Sequence, residues 1–259
     1  MPDINNYFDN KEQENISYPE WGYDGNFRVE DVSFWHKHRI NCIKSLLLKY
    51  IKDEIFFDIG GSNGYNCKTL QDSGIETVLI EPGIKACQNA MQRGVKNIIC
   101  SSAENAKIKE NSVSFMGLFD VLEHIEKDVD FLKFLNTKLT DKGLVFMTVP
   151  AYSFLWSKCD ETAGHFRRYS LKEINKKLNA AGFDVVYSTY MFSFLVLPIF
   201  LLRTIPSWLG INKLKAENTE NQHKTKIPNS LLDMELNLIK QEKTIPFGSS
   251  CLVIARRRI

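Results

Sequence analysis

The stretch Phe57-Asp58-Ile59-Gly60-Gly61-Ser62-Asn63-Gly64 constrains this chain more than any other. It follows the apolar run Ile55-Phe56-Phe57, which reads as a buried parallel strand, and its glycines let the backbone turn sharply and pass close to a ligand that a Cβ would obstruct. Thr77-Val78-Leu79-Ile80 reads as the next strand and ends at Glu81. In an open α/β sheet the carboxyl ends of adjacent strands face one crevice, so Glu81 can accept hydrogen bonds from a ribose over the glycine turn. Two nucleotide folds are excluded by spacing. In the G-x-G-x-x-G register, Gly60 is followed by Ser62 and Tyr65, and Gly61 by Asn63 and Asn66; no Gly-Lys-Ser/Thr follows the turn either.

Three further strand signals follow in order. Asn97-Ile98-Ile99 leads into Cys100-Ser101-Ser102-Ala103-Glu104, Val113 to Phe119 leads into Asp120-Val121-Leu122-Glu123-His124, and Gly143 to Val149 ends at Pro150. Helical spacing of apolar residues fills the gaps at 66–72, 84–93, 128–139 and 170–181, with a capping box at Ser170-Leu171-Lys172-Glu173 and Gly182 at the helix end. Phe183 to Tyr190 reads as a sixth strand and Ser250 to Ala255 as a seventh, separated by about 60 residues.

Asp58, Gly60, Ser62 and Gly64 resemble the first motif of the class I S-adenosylmethionine-dependent methyltransferases, with Ser62 in place of the middle glycine. Asp120-Val121-Leu122-Glu123-His124 is similar to the motif that ends the fourth strand in members acting on small molecules. Gly164-His165-Phe166-Arg167-Arg168-Tyr169 and Pro246-Phe247-Gly248-Ser249-Ser250 resemble elements of bacterial members associated with cell-envelope glycans and glycolipids. The resemblance implies an α/β, Rossmann-like seven-stranded sheet. Its first five strands are parallel, and the last lies antiparallel between the fifth and sixth. It also implies S-adenosylmethionine as cofactor, with S-adenosylhomocysteine as product. The implied cofactor site comprises Trp35, Arg39, Asp58, Gly60, Gly61, Ser62, Gly64, Glu81, Pro82, Ser102, Ala103, Glu104, Asp120, Val121 and His124.

The expected organisation is an N-terminal segment and capping helix at 1–50, irregular to about residue 25 and helical over 32–51. A cofactor-binding core at 51–190, a helical insertion at 191–248 and a final core strand at 249–259 complete it. Specificity is expected in the insertion. Its twelve apolar residues Met191 to Leu202 are too short for the roughly 20 that span a bilayer, and Pro198 would kink a helix there. That run is a lid, a subunit contact or a peripheral membrane contact extending to Trp208, and 213–226 is a polar loop. The net charge of +2 gives no case for nucleic acid, and six scattered cysteines fit a reduced cytoplasmic protein.

For the chemistry, the expected reaction is methyl transfer to a hydroxyl of a sugar- or glycolipid-like small molecule. A cofactor-binding but non-catalytic partner subunit is the alternative. His165 is the leading general base, since imidazole titrates near neutrality, or else it braces its loop; His124 ranks below it. Tyr152, His165, Arg167, Arg168 and Tyr169 form the expected acceptor site, the arginines facing an anionic group. Asp120, Glu123, His124 and Asp160 can be drawn as a metal site, but their spacing matches no metal motif and no metal is expected.

Overall fold

The computed structural model describes residues 7–8, 18–211 and 227–259. The polar loop expected at 213–226 lies outside the described residues, as does most of the segment before residue 18. The chain runs β1 (Tyr7–Phe8), α1 (Glu20–Glu30), α2 (Phe34–Tyr50), β2 (Phe56–Ile59), α3 (Tyr65–Gln71), β3 (Thr77–Glu81), α4 (Ile84–Arg93), β4 (Ile98–Cys100), β5 (Val113–Phe119) and α5 (Asp128–Lys138). It continues through β6 (Leu139–Pro150), α6 (Lys158–Thr162), α7 (Leu171–Ala180), β7 (Phe183–Met191), α8 (Val196–Ile199), α9 (Ile205–Trp208), α10 (Asn229–Lys240) and β8 (Ser250–Arg257).

The sheet order is β1-β4-β3-β2-β5-β6-β8-β7. β2 to β6 pair in parallel, and β8 is antiparallel to both β6 and β7. This is the expected seven-stranded arrangement, with the two residues of β1 added in parallel at the β4 edge. Consecutive side chains along a strand supply opposite cores. Val145 and Met147 pack in the layer with α5 and α7, whereas Leu144 and Phe146 pack in the layer with α2 and α10. Both faces of the sheet are therefore covered, which is why its strands read as continuous apolar runs without alternation.

Two expectations about the periphery change. Residues 20–25 are helical, not irregular: α1 forms despite Gly22 and Gly25 because Tyr23 and Val29 are buried and Gly22 lies where a Cβ would strike the Tyr18 ring. Tertiary packing outweighs the weak helix propensity of glycine here. The 191–248 insertion, in turn, has two unlike parts. The apolar run breaks into α8, a π turn at Phe200–Thr204 and α9, with Pro198 before the π turn and Pro206 after it. By contrast α10 packs on α2 and belongs to the core: Ile239 is fully buried, and Glu235 accepts from the backbone of Phe192 and Ser193 and bonds His38 at 3.0 Å.

Gly64 marks the start of α3 with φ +71°, and a Cβ there would lie 2.7 Å from Val95 and 2.8 Å from Ala90. Its role is to let α3 approach α4. Gly64→Ala should destabilise the fold by about 1–3 kcal/mol. Urea unfolding should show this as a lower midpoint at unchanged slope.

Candidate active site

The carboxyl ends of β2 to β6 open on one side of the sheet, and a cavity of about 760 Å³ lies across them. Gly60 forms its base. It has φ +67°, donates to the Ile80 carbonyl at 2.7 Å, and leaves no room for a Cβ, which would lie 2.9 Å from Val121. Ser62 follows, also at positive φ, and its N–H donates to Glu81 at 2.9 Å. The other Glu81 oxygen accepts from the Gly83 N–H at 2.8 Å and from the Tyr23 hydroxyl at 3.3 Å. Burial pushes the Glu81 carboxyl above the ordinary glutamate value, with these donors opposing the shift.

Of the residues expected at the cofactor, Trp35, Arg39, Gly60, Ser62, Glu81, Pro82, Ser102, Ala103, Glu104, Asp120, Val121 and His124 line the cavity. Asp58, Gly61 and Gly64 lie outside that lining. Asp58 is fully buried beneath the turn, where burial raises its carboxyl to about 7. A Cβ on Gly61 would meet Asp58 and Leu79, so this glycine serves packing. Arg39 forms an ion pair with Asp120 and lies 4.4 Å over the Trp35 ring, while His38 turns away to Glu235.

Also lining the cavity is His165, whose Nδ1 sits 3.0 Å from Asp160 Oδ1. Arg168 grips the same carboxylate through Nε at 2.7 Å and Nη2 at 3.1 Å. Ser157 caps α6 through Asp160, whose carboxylate accepts from the Ser157 N–H at 2.9 Å. Burial works to raise the Asp160 carboxyl, but His165 and Arg168 hold it well below the usual carboxylate range. The His124 ring stands edge-on to His165 with centroids 4.7 Å apart. Burial, with His165 beside it, lowers His124 to about 3 and keeps it neutral.

The remaining expected acceptor residues do not face the cavity. Arg167 donates to the carbonyls of Ile125 and Glu126, both at 2.7 Å, and pairs with Asp128. Tyr169 is buried, its hydroxyl 3.0 Å from Asp128. Tyr152 stacks between Phe154 and Tyr190. These three hold the loop that presents His165 and Arg168.

Sequence reasoning missed the contribution of α1 and of Tyr18 just before it. Tyr23, Asn26 and Glu30 line the cavity from α1 and Tyr18 from just before it, and α1 is tied to the glycine turn where Asn63 donates to the Tyr23 carbonyl at 2.9 Å. The density of aromatic side chains at Tyr18, Tyr23 and Phe27 in an otherwise polar segment was the available signal. From the insertion after β7, where specificity was expected, Ile199 and Arg203 line the cavity.

Such a sheet, with a cavity built at its strand ends from a glycine turn and an acidic residue on the next strand, defines a class I methyltransferase fold. The family model described as a methyltransferase domain matches residues 34–188, more than half of the chain, and the chain belongs to that family. No curated protein matches it. Among solved structures, it is similar to the Haloferax volcanii protein in complex with the Trm112 methyltransferase activator, with TM-score 0.62, 13% identity, and 92% of this chain and 96% of that chain covered. It also resembles a SAM-dependent methyltransferase from Archaeoglobus fulgidus, with TM-score 0.55, 17% identity and coverage of 86% and 98%. Haemonchus contortus phosphoethanolamine N-methyltransferase 2 in complex with S-adenosyl-L-methionine gives TM-score 0.58 at 14% identity, covering 95% of this chain and 59% of that chain. At these identities the likeness is one of fold.

Proposed function

We propose that the chain transfers a methyl group from S-adenosylmethionine to a hydroxyl of a sugar- or glycolipid-like acceptor, releasing S-adenosylhomocysteine. The observation that carries this reading is the continuity of the cavity, which joins the glycine turn and Glu81 to His124, His165, Arg168 and Arg203. Its volume is within the usual range for small-molecule sites. The residues present fit the cofactor: Ser62 Oγ and Arg39 Nε are buried without a partner among the described residues, and the close approach at Gly60 admits a ligand against bare backbone. Glu81 would hold the ribose hydroxyls, Ser102 to Glu104 the adenine side, and Trp35 with Arg39 the methionine end. When bound, the cofactor supplies an electrophilic methyl on sulfur. The protein's work is to align the acceptor, exclude water and remove the hydroxyl proton. With Nδ1 held by Asp160, His165 Nε2 is the atom available to the acceptor.

The lid adds a preference for an anionic headgroup. Arg203 Nε is buried and unpaired among the described residues, whereas Arg167 and Arg168 are committed to protein oxygens. Arg203→Ala should raise the acceptor KM by about 10- to 100-fold, the cost of one charge-assisted hydrogen bond. S-adenosylhomocysteine affinity should stay unchanged. Outside the cavity, the lid exposes Leu197, Leu201, Leu202, Trp208 and Leu209, a surface suited to a lipid tail or membrane interface on the cytoplasmic side. No helix among the described residues is long and apolar enough to cross a membrane.

The same apolar face favours a second reading, a cofactor-binding partner subunit without its own turnover. Tritiated methyl transfer from S-adenosylmethionine into a cell extract decides between them. Label in a sugar or polar-lipid fraction is the expected result. S-adenosylhomocysteine binding without any transfer supports the partner subunit, and failure to bind it removes the methyltransferase reading.

A further inference from the structure

We propose that Glu123, His124 and His165 bind a divalent first-row transition-metal cation at the acceptor end of the cavity. Their candidate ligand atoms, one carboxylate oxygen and two imidazole nitrogens, all lie within 4.8 Å of one another. Ligands about 2.1 Å from one tetrahedral ion lie about 3.4 Å apart, so the set needs to close by at most about 1.4 Å, a change within the reach of side-chain rotation. The three residues come from two loops. Glu123 and His124 form the short turn after β5, and His165 follows α6. Spacing along the chain therefore gives no metal motif, and the group assembles only on folding.

Glu123 supplies an independent sign of a missing ligand. It is 1% exposed, lines the cavity, and its Oε2 has no hydrogen-bond partner among the described residues. A buried carboxylate oxygen left this way is costly unless a cation or donor meets it. The neighbouring cations are already engaged: Arg39 by Asp120, and Arg168 by Asp160. The imidazoles are also oriented as metal ligands are. His165 Nδ1 is held by the Asp160 carboxylate, leaving Nε2, and the His124 ring is hydrogen-bonded to the Gly164 backbone. A carboxylate or carbonyl on the distal ring nitrogen is the usual way such histidines are positioned.

Two imidazoles and one carboxylate favour zinc, iron, cobalt or manganese over magnesium, which prefers an all-oxygen shell. Three protein ligands also leave coordination positions for the acceptor. The inference rests on the proposed methyl transfer and narrows its substrate class to acceptors with two adjacent oxygen donors, such as a vicinal diol or a hydroxyl beside a phosphate. A cation there makes the hydroxyl more acidic, so its proton can pass to solvent water while His165 serves as a ligand to the ion in place of acting as the base.

Cobalt is a direct probe, because its visible bands report nitrogen and oxygen coordination. The untagged full chain, stripped with chelator, should take up one equivalent of Co²⁺ with saturable d–d absorption. Glu123→Gln and His165→Ala should each weaken uptake at least tenfold while S-adenosylhomocysteine affinity, read by calorimetry, is preserved. No saturable uptake, or uptake unaltered in both variants, overturns the site. Should a variant unfold, anomalous diffraction at the cobalt edge on the native chain decides: an ion between these three residues supports the site, and an ion elsewhere overturns it. If Co²⁺ binds as stated but S-adenosylhomocysteine does not, the metal site stands and the methyl-transfer reading fails.

Discussion

Glu81→Ala is expected to weaken S-adenosylhomocysteine binding by at least a hundredfold in titration calorimetry. The substitution removes an acceptor for two ribose hydroxyls, and each charge-assisted hydrogen bond contributes about 1.5–3 kcal/mol. It also releases the Ser62 N–H, the Gly83 N–H and the Tyr23 hydroxyl that the carboxylate holds in place. Tyr23→Phe separates the two contributions. It removes one contact from α1, keeps the carboxylate, and should cost only severalfold. The sign of the pH dependence follows from burial, which raises the Glu81 carboxyl in the free protein. Ribose hydroxyls donate to the ionised form, so binding lowers that pKa and releases a proton, and affinity should fall as pH drops through the raised value. Unchanged affinity in Glu81→Ala would place the cofactor elsewhere than over the glycine turn.

How much of this was readable in advance depends on whether the determining interaction was local. The strands were legible because both faces of the sheet are covered, giving runs such as Thr77-Val78-Leu79-Ile80, and because small or polar residues follow at the strand ends. The boundaries of α4 and α7 were legible for the same reason, the capping box of Ser170 with Glu173 being present as expected. What was lost depends on residues distant in sequence. Nothing in the local sequence shows that Gly64 faces Ala90 and Val95, or that Glu235 closes on His38 and the backbone after β7. The apolar run Met191 to Leu202 announced a buried or interfacial segment. Only its break around the π turn shows that Arg203 turns into the cavity while Leu201 and Leu202 remain outside.

The same distinction governs the expected effect of His165→Ala. Turnover should fall by about 10²- to 10⁴-fold, the range for losing a group that removes the acceptor's proton, either directly as base or as ligand to a cation that acidifies the hydroxyl. S-adenosylhomocysteine affinity should remain within about twofold, because Glu81, Ser62 and Arg39 are held by other partners and not by His165 or Asp160. That split carries the argument, since a histidine serving only to brace its loop would act through Asp160 and Arg168. In that case His165→Asn, which can still bond to Asp160, would rescue turnover. Rescue is not expected, because an amide neither accepts a proton near neutrality nor replaces imidazole as a ligand. The Asp160 carboxylate keeps its Arg168 and Ser157 partners in either variant, so the loop should stay folded. Circular dichroism melting should confirm this with a shift of only a few degrees. Full turnover in His165→Ala would remove His165 from the chemistry and leave Arg203 as the acceptor-binding group.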